Sequence, residues 1–188
     1  ADYDDCLRLC PKENLVLLRN PLINDLNAMR QTLLFGGLET IAYNRNHQRS
    51  DLKLFEIGNC YRTKNKDKNE IQEVLDNYDE DSHLGIFITG NLNRENWTNK
   101  PHPTNFFHLK GYVENILTRM GIDINKLKTE EIENEIFSQG LVYKQKKQTL
   151  AVFGIIHEDL LSKFDIDSDV FYADMHYDKL LQLSESKQ

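Results

Sequence analysis

Two apolar runs that read as strands, residues 52–63 (LKLFEIGNCYRT) and 83–91 (HLGIFITGN), are joined by the stretch 64–82, which is charged throughout. The stretch reads as a solvated excursion, so the two runs are expected to meet as a long antiparallel hairpin. A helix is predicted on either side of it. Farther on, residues 129–136 alternate, 141–146 and 148–156 make a second hairpin, and 170–175 make a further strand. A short helix, Glu158 to Phe164, interrupts this last group. Helix, hairpin, helix, hairpin contains no regular βαβ alternation. The predicted class is α+β, a mainly antiparallel sheet with flanking helices.

The first helix is expected from Thr32 to about His47, with Leu34, Leu38 and Ile41 on one face. Gly36-Gly37 weakens its first turns by roughly 1 kcal/mol per glycine. The pair signals either close approach by another backbone or a start delayed to Leu38. The second helix begins near Thr104 or Asn105. Phe106, Leu109, Val113, Ile116, Leu117 and Met120 recur at helical spacing, and Gly121 stands at the cap position. Leu15 to Leu18 reads as a short strand entering a turn at Asn20-Pro21.

A chain of 188 residues, 39% hydrophobic, suits one domain over 1–188, with 1–14 and 183–188 as flexible margins. It starts Ala1-Asp2-Tyr3 with no initiator Met and no basic-then-apolar leader, and reads as cut from a longer chain. The three cysteines, Cys6, Cys10 and Cys60, suit a reducing, cytoplasmic setting. Cys6 and Cys10 have the spacing of half a zinc site, but no second pair follows, and no metal is expected. No run is long enough to span a bilayer. A net charge of −7 argues against a surface whose main work is gripping phosphate backbones. One basic spot stands out, the turn Lys144-Gln145-Lys146-Lys147, whose plain reading is a solvated hairpin tip.

Catalytic motifs are absent. The nine glycines build neither G-x-G-x-x-G nor G-x-x-x-x-G-K-[ST], and there is no G-x-S-x-G and no H-E-x-x-H. Asp76 to Asp81 lacks the alternating ligands and glycine of a calcium loop. His102 and His108 flank a helix start and read as surface or capping groups. Glu56 stands between Phe55 and Ile57 and is expected to face solvent or a neighbouring arginine.

The informative stretch is Leu54-Phe55-Glu56-Ile57-Gly58-Asn59-Cys60-Tyr61-Arg62-Thr63-Lys64. It resembles motif 2 of class II aminoacyl-tRNA synthetases, in which an aromatic-Arg-x-Glu pattern addresses ATP. Tyr61-Arg62 matches, but Lys64 stands where the motif has Glu. Motif 3, G-x-G-x-G-x-x-R, has no counterpart: Val170 to Leu181 holds neither Gly nor Arg. Without a second arginine the phosphate chemistry lacks its charge support.

A class II fold lacking its catalytic residues resembles the bacterial phenylalanyl-tRNA synthetase beta subunit. The stretches that carry the resemblance are Arg19 to Asn24 through Met29 to Leu34, Leu38-Glu39 to Tyr43-Asn44-Arg45-Asn46, Leu54 to Gly58, Phe106 to Glu114, Phe153 to Leu161, and Val170 to Asp174. Together they cover about residues 15–182. The resemblance implies a non-catalytic module that packs on the catalytic alpha subunit of an (αβ)2 enzyme joining phenylalanine to tRNA(Phe). ATP and Mg are implied as cofactors of the whole enzyme. No catalytic, cofactor-binding or metal residue carries over to this chain, and Arg62 is at most a relic of motif 2.

A subunit face is expected on the first helix: Leu33, Leu34, Leu38, Ile41 and Tyr43 with Arg45. The same leucines serve equally well as the domain's own core. Arg45, Arg49 and Arg62 are an alternative as an anion site. The competing function is a free-standing regulatory relative with a degenerate nucleotide pocket around Arg62.

Overall fold

The computed structural model describes residues 10, 14–18, 27–64, 77–93 and 100–185. Among these, α1 (Leu34–Asn46) leads into β1 (Leu52–Thr63) and β2 (Tyr78–Thr89). Then come α2 (Phe106–Arg119), a 3-10 turn (Ile124–Lys126), β3 (Lys128–Ile132), β4 (Phe137–Gln145) and β5 (Gln148–Ile156). Last are α3 (Glu158–Ser162), β6 (Val170–His176) and α4 (Tyr177–Glu185).

The six strands form one sheet in the order β1-β2-β6-β5-β4-β3, and every neighbouring pair is antiparallel. β6 lies between β2 and β5, buried on both faces, which is why it reads as an apolar run without clean alternation. Side chains alternate across the sheet and divide the core in two. Ile86, Ile88, Phe153, Ala173 and Met175 meet α2 and Leu180 of α4. Phe87, Phe137, Ile156, Val170 and Tyr172 meet α1 and Leu160 and Leu161 of α3.

Local signals explain most boundaries. α2 starts at a reciprocal capping box: Asn105 Oδ1 accepts from the His108 amide at 3.2 Å, and His108 Nδ1 accepts from the Asn105 amide at 3.1 Å. His108 is thus the capping group expected of it. Gly37, fully inside α1, faces Phe87, whose ring occupies the space a β-carbon would need. Gly36 faces open space.

Other boundaries differ from the sequence reading. β2 starts at Tyr78 rather than 83, because Tyr61 Oη and Asn59 Nδ2 donate to Glu80 and hold its charged end on β1. β3 ends at Ile132 and β4 starts at Phe137, because Asn134 Oδ1 accepts from the amides of Ile136 and Phe137, each at 2.9 Å, and turns the chain. Residues 183–185, expected as a flexible margin, belong to α4. Leu17 bridges Ala28, consistent with the short strand at 15–18. The turn at Asn20-Pro21, the thiol of Cys6, most of 1–14 and 64–82, and residues 186–188 lie outside the described residues.

Candidate functional site

The motif-2-like hairpin is formed by β1 and β2. Arg62 is exposed and pairs in register with Asp79. Lys64 closes the hairpin, its amide donating to the Asn77 carbonyl at 2.8 Å and its Nζ lying 2.6 Å from Asp79 Oδ1. The charge reversal at position 64 is therefore matched by a carboxylate on the opposite strand.

The side of this hairpin that faces α1 is filled. Phe87 stacks on Tyr172 with ring centroids 4.6 Å apart, and Phe137 stacks on the same tyrosine at 6.0 Å. Leu34, Leu38 and Ile41 close over them. Tyr172 is fully buried, and burial, reinforced by Asp174, pushes its phenol well above the ordinary range. Beside it, Cys60 is buried on β1, and burial followed by Asp174 pushes the thiol up to about 12. It stays protonated at neutral pH and is no nucleophile.

One polar cluster sits where β2 meets β6. Buried His83 bonds through Nδ1 to Asp174 Oδ1 at 2.6 Å, and its ring lies 4.5 Å from that of His176. Burial, with His83 and Lys179 adding to it, pulls His176 down to about 4, so this imidazole is neutral. On the outer edge, Arg30 lies across Gly58, where a β-carbon would meet its guanidinium. Arg30 Nη1 is 2.5 Å from Glu56 Oε1, and Nε donates to the Asn59 carbonyl at 3.0 Å. This gives Glu56 the arginine expected of it. Ala28, Met29, Arg30, Gly58, Asn59 and Tyr61 line an open groove there. Its one cation is already neutralised by Glu56, so it offers no phosphate clamp.

The expected subunit face on α1 is corrected by packing. Leu33, Leu34, Leu38 and Ile41 are each at most 1% exposed and belong to this domain's own core. Arg45 is held by the segment before β6, donating to Ser168 Oγ at 2.5 Å and pairing with Asp167. Of the six residues only Tyr43 is exposed, beside the ring of His47. Arg45, Arg49 and Arg62 make no joint anion site. Arg45 and Arg49 precede the first residue of β1 and Arg62 lies near its last, about 30 Å away at strand rise. Among the described residues no group of three His, Cys, Asp or Glu side chains is arranged to hold a metal ion, and no helix is long and apolar enough to cross a membrane.

Sequence reading missed the His83–Asp174–His176 cluster, in which His83 lies far along the chain from the other two and meets them only through the β2–β6 pairing. A histidine opening an apolar run was the available signal.

Comparison with known proteins agrees with this geometry. The family model described as "Phenylalanyl tRNA synthetase beta chain CLM domain" matches residues 1–177. The phenylalanine–tRNA ligase beta subunit of Bacteroides fragilis is 44% identical over 99% of this chain and 23% of its own length. That of Porphyromonas gingivalis is 36% identical over 98% of this chain and 22% of its own. The chain thus spans about a quarter of the length of the curated relatives it matches. Among solved structures, pyrrolysyl-tRNA synthetase from Desulfitobacterium hafniense superposes with a TM-score of 0.63 at 16% identity, covering 92% of this chain and 54% of that one. That likeness establishes the class II synthetase fold expected from the sequence. With the family model matched over nearly its whole length, the chain belongs to the phenylalanyl-tRNA synthetase beta chain CLM domain family.

Proposed function

We propose that this chain is the non-catalytic, class II-like module of a phenylalanine–tRNA ligase beta subunit, and that it packs on the catalytic alpha subunit of an (αβ)2 enzyme in the cytoplasm. The observation that carries the reading is the filled α1 side of the sheet. Phe87, Phe137 and Tyr172 stack where a substrate-binding sheet face would have to stay open. The residues present do not fit ATP or its magnesium. Lys64 occupies the acidic position of motif 2 and is engaged with Asp79, and β6 runs into α4 without the motif-3 glycines or arginine. ATP and magnesium belong, in this reading, to the alpha subunit.

A packing role is further supported by large apolar side chains left on the surface. Phe55 is 75% exposed and Ile57 53% on the edge strand β1, and Phe107 of α2 is 74% exposed. Edge strands of self-contained domains are usually blunted by charge, whereas Phe55 and Ile57 stand two residues apart on one face of β1, and exposed apolar side chains that cluster mark contact surfaces. Tyr43 is the member of the expected α1 face that remains available to a partner. The alternative, a free-standing nucleotide-binding regulator, rests on Arg62 alone, which is exposed and faces Asp79 in the hairpin register.

The test is co-expression of the full-length beta subunit with its alpha subunit. A 2:2 complex that aminoacylates tRNA(Phe), and whose kcat is unchanged by Arg62→Ala, is the expected result. An assembled Arg62→Ala enzyme that loses aminoacylation more than about tenfold would mean that this chain contributes to the transition state after all.

A further inference from the structure

Lys128 and Lys144 are direct partners across the β3–β4 pairing. Like charges in that position repel. Both ammonium groups converge on one carboxylate: Lys128 Nζ lies 2.9 Å from Glu130 Oε1, and Lys144 Nζ pairs with Glu130 Oε2. One acid shared by two lysines leaves a net positive charge. The β4–β5 turn extends it. Lys146 and Lys147 are exposed and form no ion pair with any described residue, and Lys146 adopts a left-handed φ of 55°. On the other flank, Lys126 ends the turn that leads into β3; it is 79% exposed and only loosely met by Asp123 at 3.6 Å.

Register brings these groups together. β3 begins at Lys128 where β4 ends at Gln145, so the segment 126–128 runs beside the turn 145–148. The acids of the same edge, Glu131, Glu133 and Glu135, follow toward the opposite end of β3 and beyond. The edge is therefore split into a basic end and an acidic end, within a chain whose net charge is −7. Five lysines at one end, with no large exposed apolar side chain among them, match a polyanion better than a packed protein surface.

We propose that Lys126, Lys128, Lys144, Lys146 and Lys147 contact the phosphate backbone of the tRNA bound by the assembled synthetase. The proposal rests on the beta-subunit role and adds to it a direct nucleic-acid contact from this domain. Lysines bind phosphates as mobile point charges without base readout, so the contact adds affinity and orientation and no sequence preference.

The experiment uses the full (αβ)2 enzyme carrying Lys126→Gln, Lys128→Gln, Lys146→Gln and Lys147→Gln, with Lys144 kept to hold Glu130. tRNA(Phe) binding is measured from about 50 to 200 mM salt. A loss of up to about one unit of salt slope per lysine is expected, with affinity at least about tenfold weaker at low salt. Arg at the same four positions restores both. A variant complex that assembles and binds tRNA with unchanged affinity and slope overturns the proposal. So does a variant that loses the alpha subunit, which would make the patch a protein interface. The double variant Lys146→Gln with Lys147→Gln, confined to an exposed turn, gives the same reading with about half the effect if the quadruple variant folds poorly. Failure of the unmodified beta subunit to assemble or bind tRNA would instead remove the beta-subunit role, and the proposal with it.

Discussion

The ring of Phe87 on β2 occupies the space that a β-carbon on Gly37 of α1 would fill. This contact lets the helix settle onto the sheet and close the side on which Phe87 and Tyr172 stack. Its neighbour Gly36 has no atom within 4 Å of the same virtual position. The two glycines should therefore respond in opposite directions. Gly37→Ala is expected to destabilise the chain by about 1–3 kcal/mol through overpacking. Gly36→Ala is expected to stabilise it by about 0.5–1 kcal/mol through helix propensity. Thermal unfolding of the two variants separates them.

Lys64→Glu recreates the acidic residue of motif 2. It sets a carboxylate beside Asp79, which should cost no more than about 1 kcal/mol at this exposed position. Titration calorimetry should find no ATP binding, because the α1 side of the sheet stays filled. Heat of binding at submillimolar ATP would show that the charge at 64, and not the packing, had removed the site.

His176 gives stability a pH dependence. Its folded pKa, pulled down to about 4, lies below the ordinary value of 6.5, so the unfolded chain binds the proton first. Stability from this group is complete above about pH 6.5 and is lost as the pH falls toward 4. Partial exposure limits the effect to about 1–2 kcal/mol. Urea unfolding between pH 7.5 and 4.5 should show a shallower decline in His176→Gln than in the unaltered chain, and parallel curves would mean the imidazole is not desolvated as described.

Asn105→Ala removes the acceptor for the His108 amide at the start of α2. A loss of about 1 kcal/mol is expected, with a smaller one for His108→Ala. Helix-resolved hydrogen exchange should show faster opening in the first turn of α2 alone.

Local signals were strong where local physics decides. The run Leu52 to Thr63 reads as one strand and is one. Asn105, the apolar spacing through Leu117 and the glycine at 121 mark α2 within a residue or two. α4 escaped notice because it is only nine residues long and follows the apolar strand β6 directly, although Tyr177, Leu180 and Leu181 stand at helical spacing. It is helical because Asp178 Oδ2 accepts from the Ser82 amide at 2.7 Å and Leu180 is fully buried, both contacts with distant strands. The candidate site was legible as a family resemblance and a missing motif, since those are properties of residue order. Its filled interior was not.

The residue sequence by itself determined the α+β class, the antiparallel hairpins and the loss of the motif-2 and motif-3 chemistry, because spacing and side-chain type suffice for each. Only the tertiary structure decided which way α1 faces. Leu34, Leu38 and Ile41 have the same helical spacing whether they meet a partner subunit or their own sheet. Phe87, Phe137 and Tyr172, arriving from three other strands, supply the apolar surface that takes them inward, and such long-range burial leaves no mark on the local pattern.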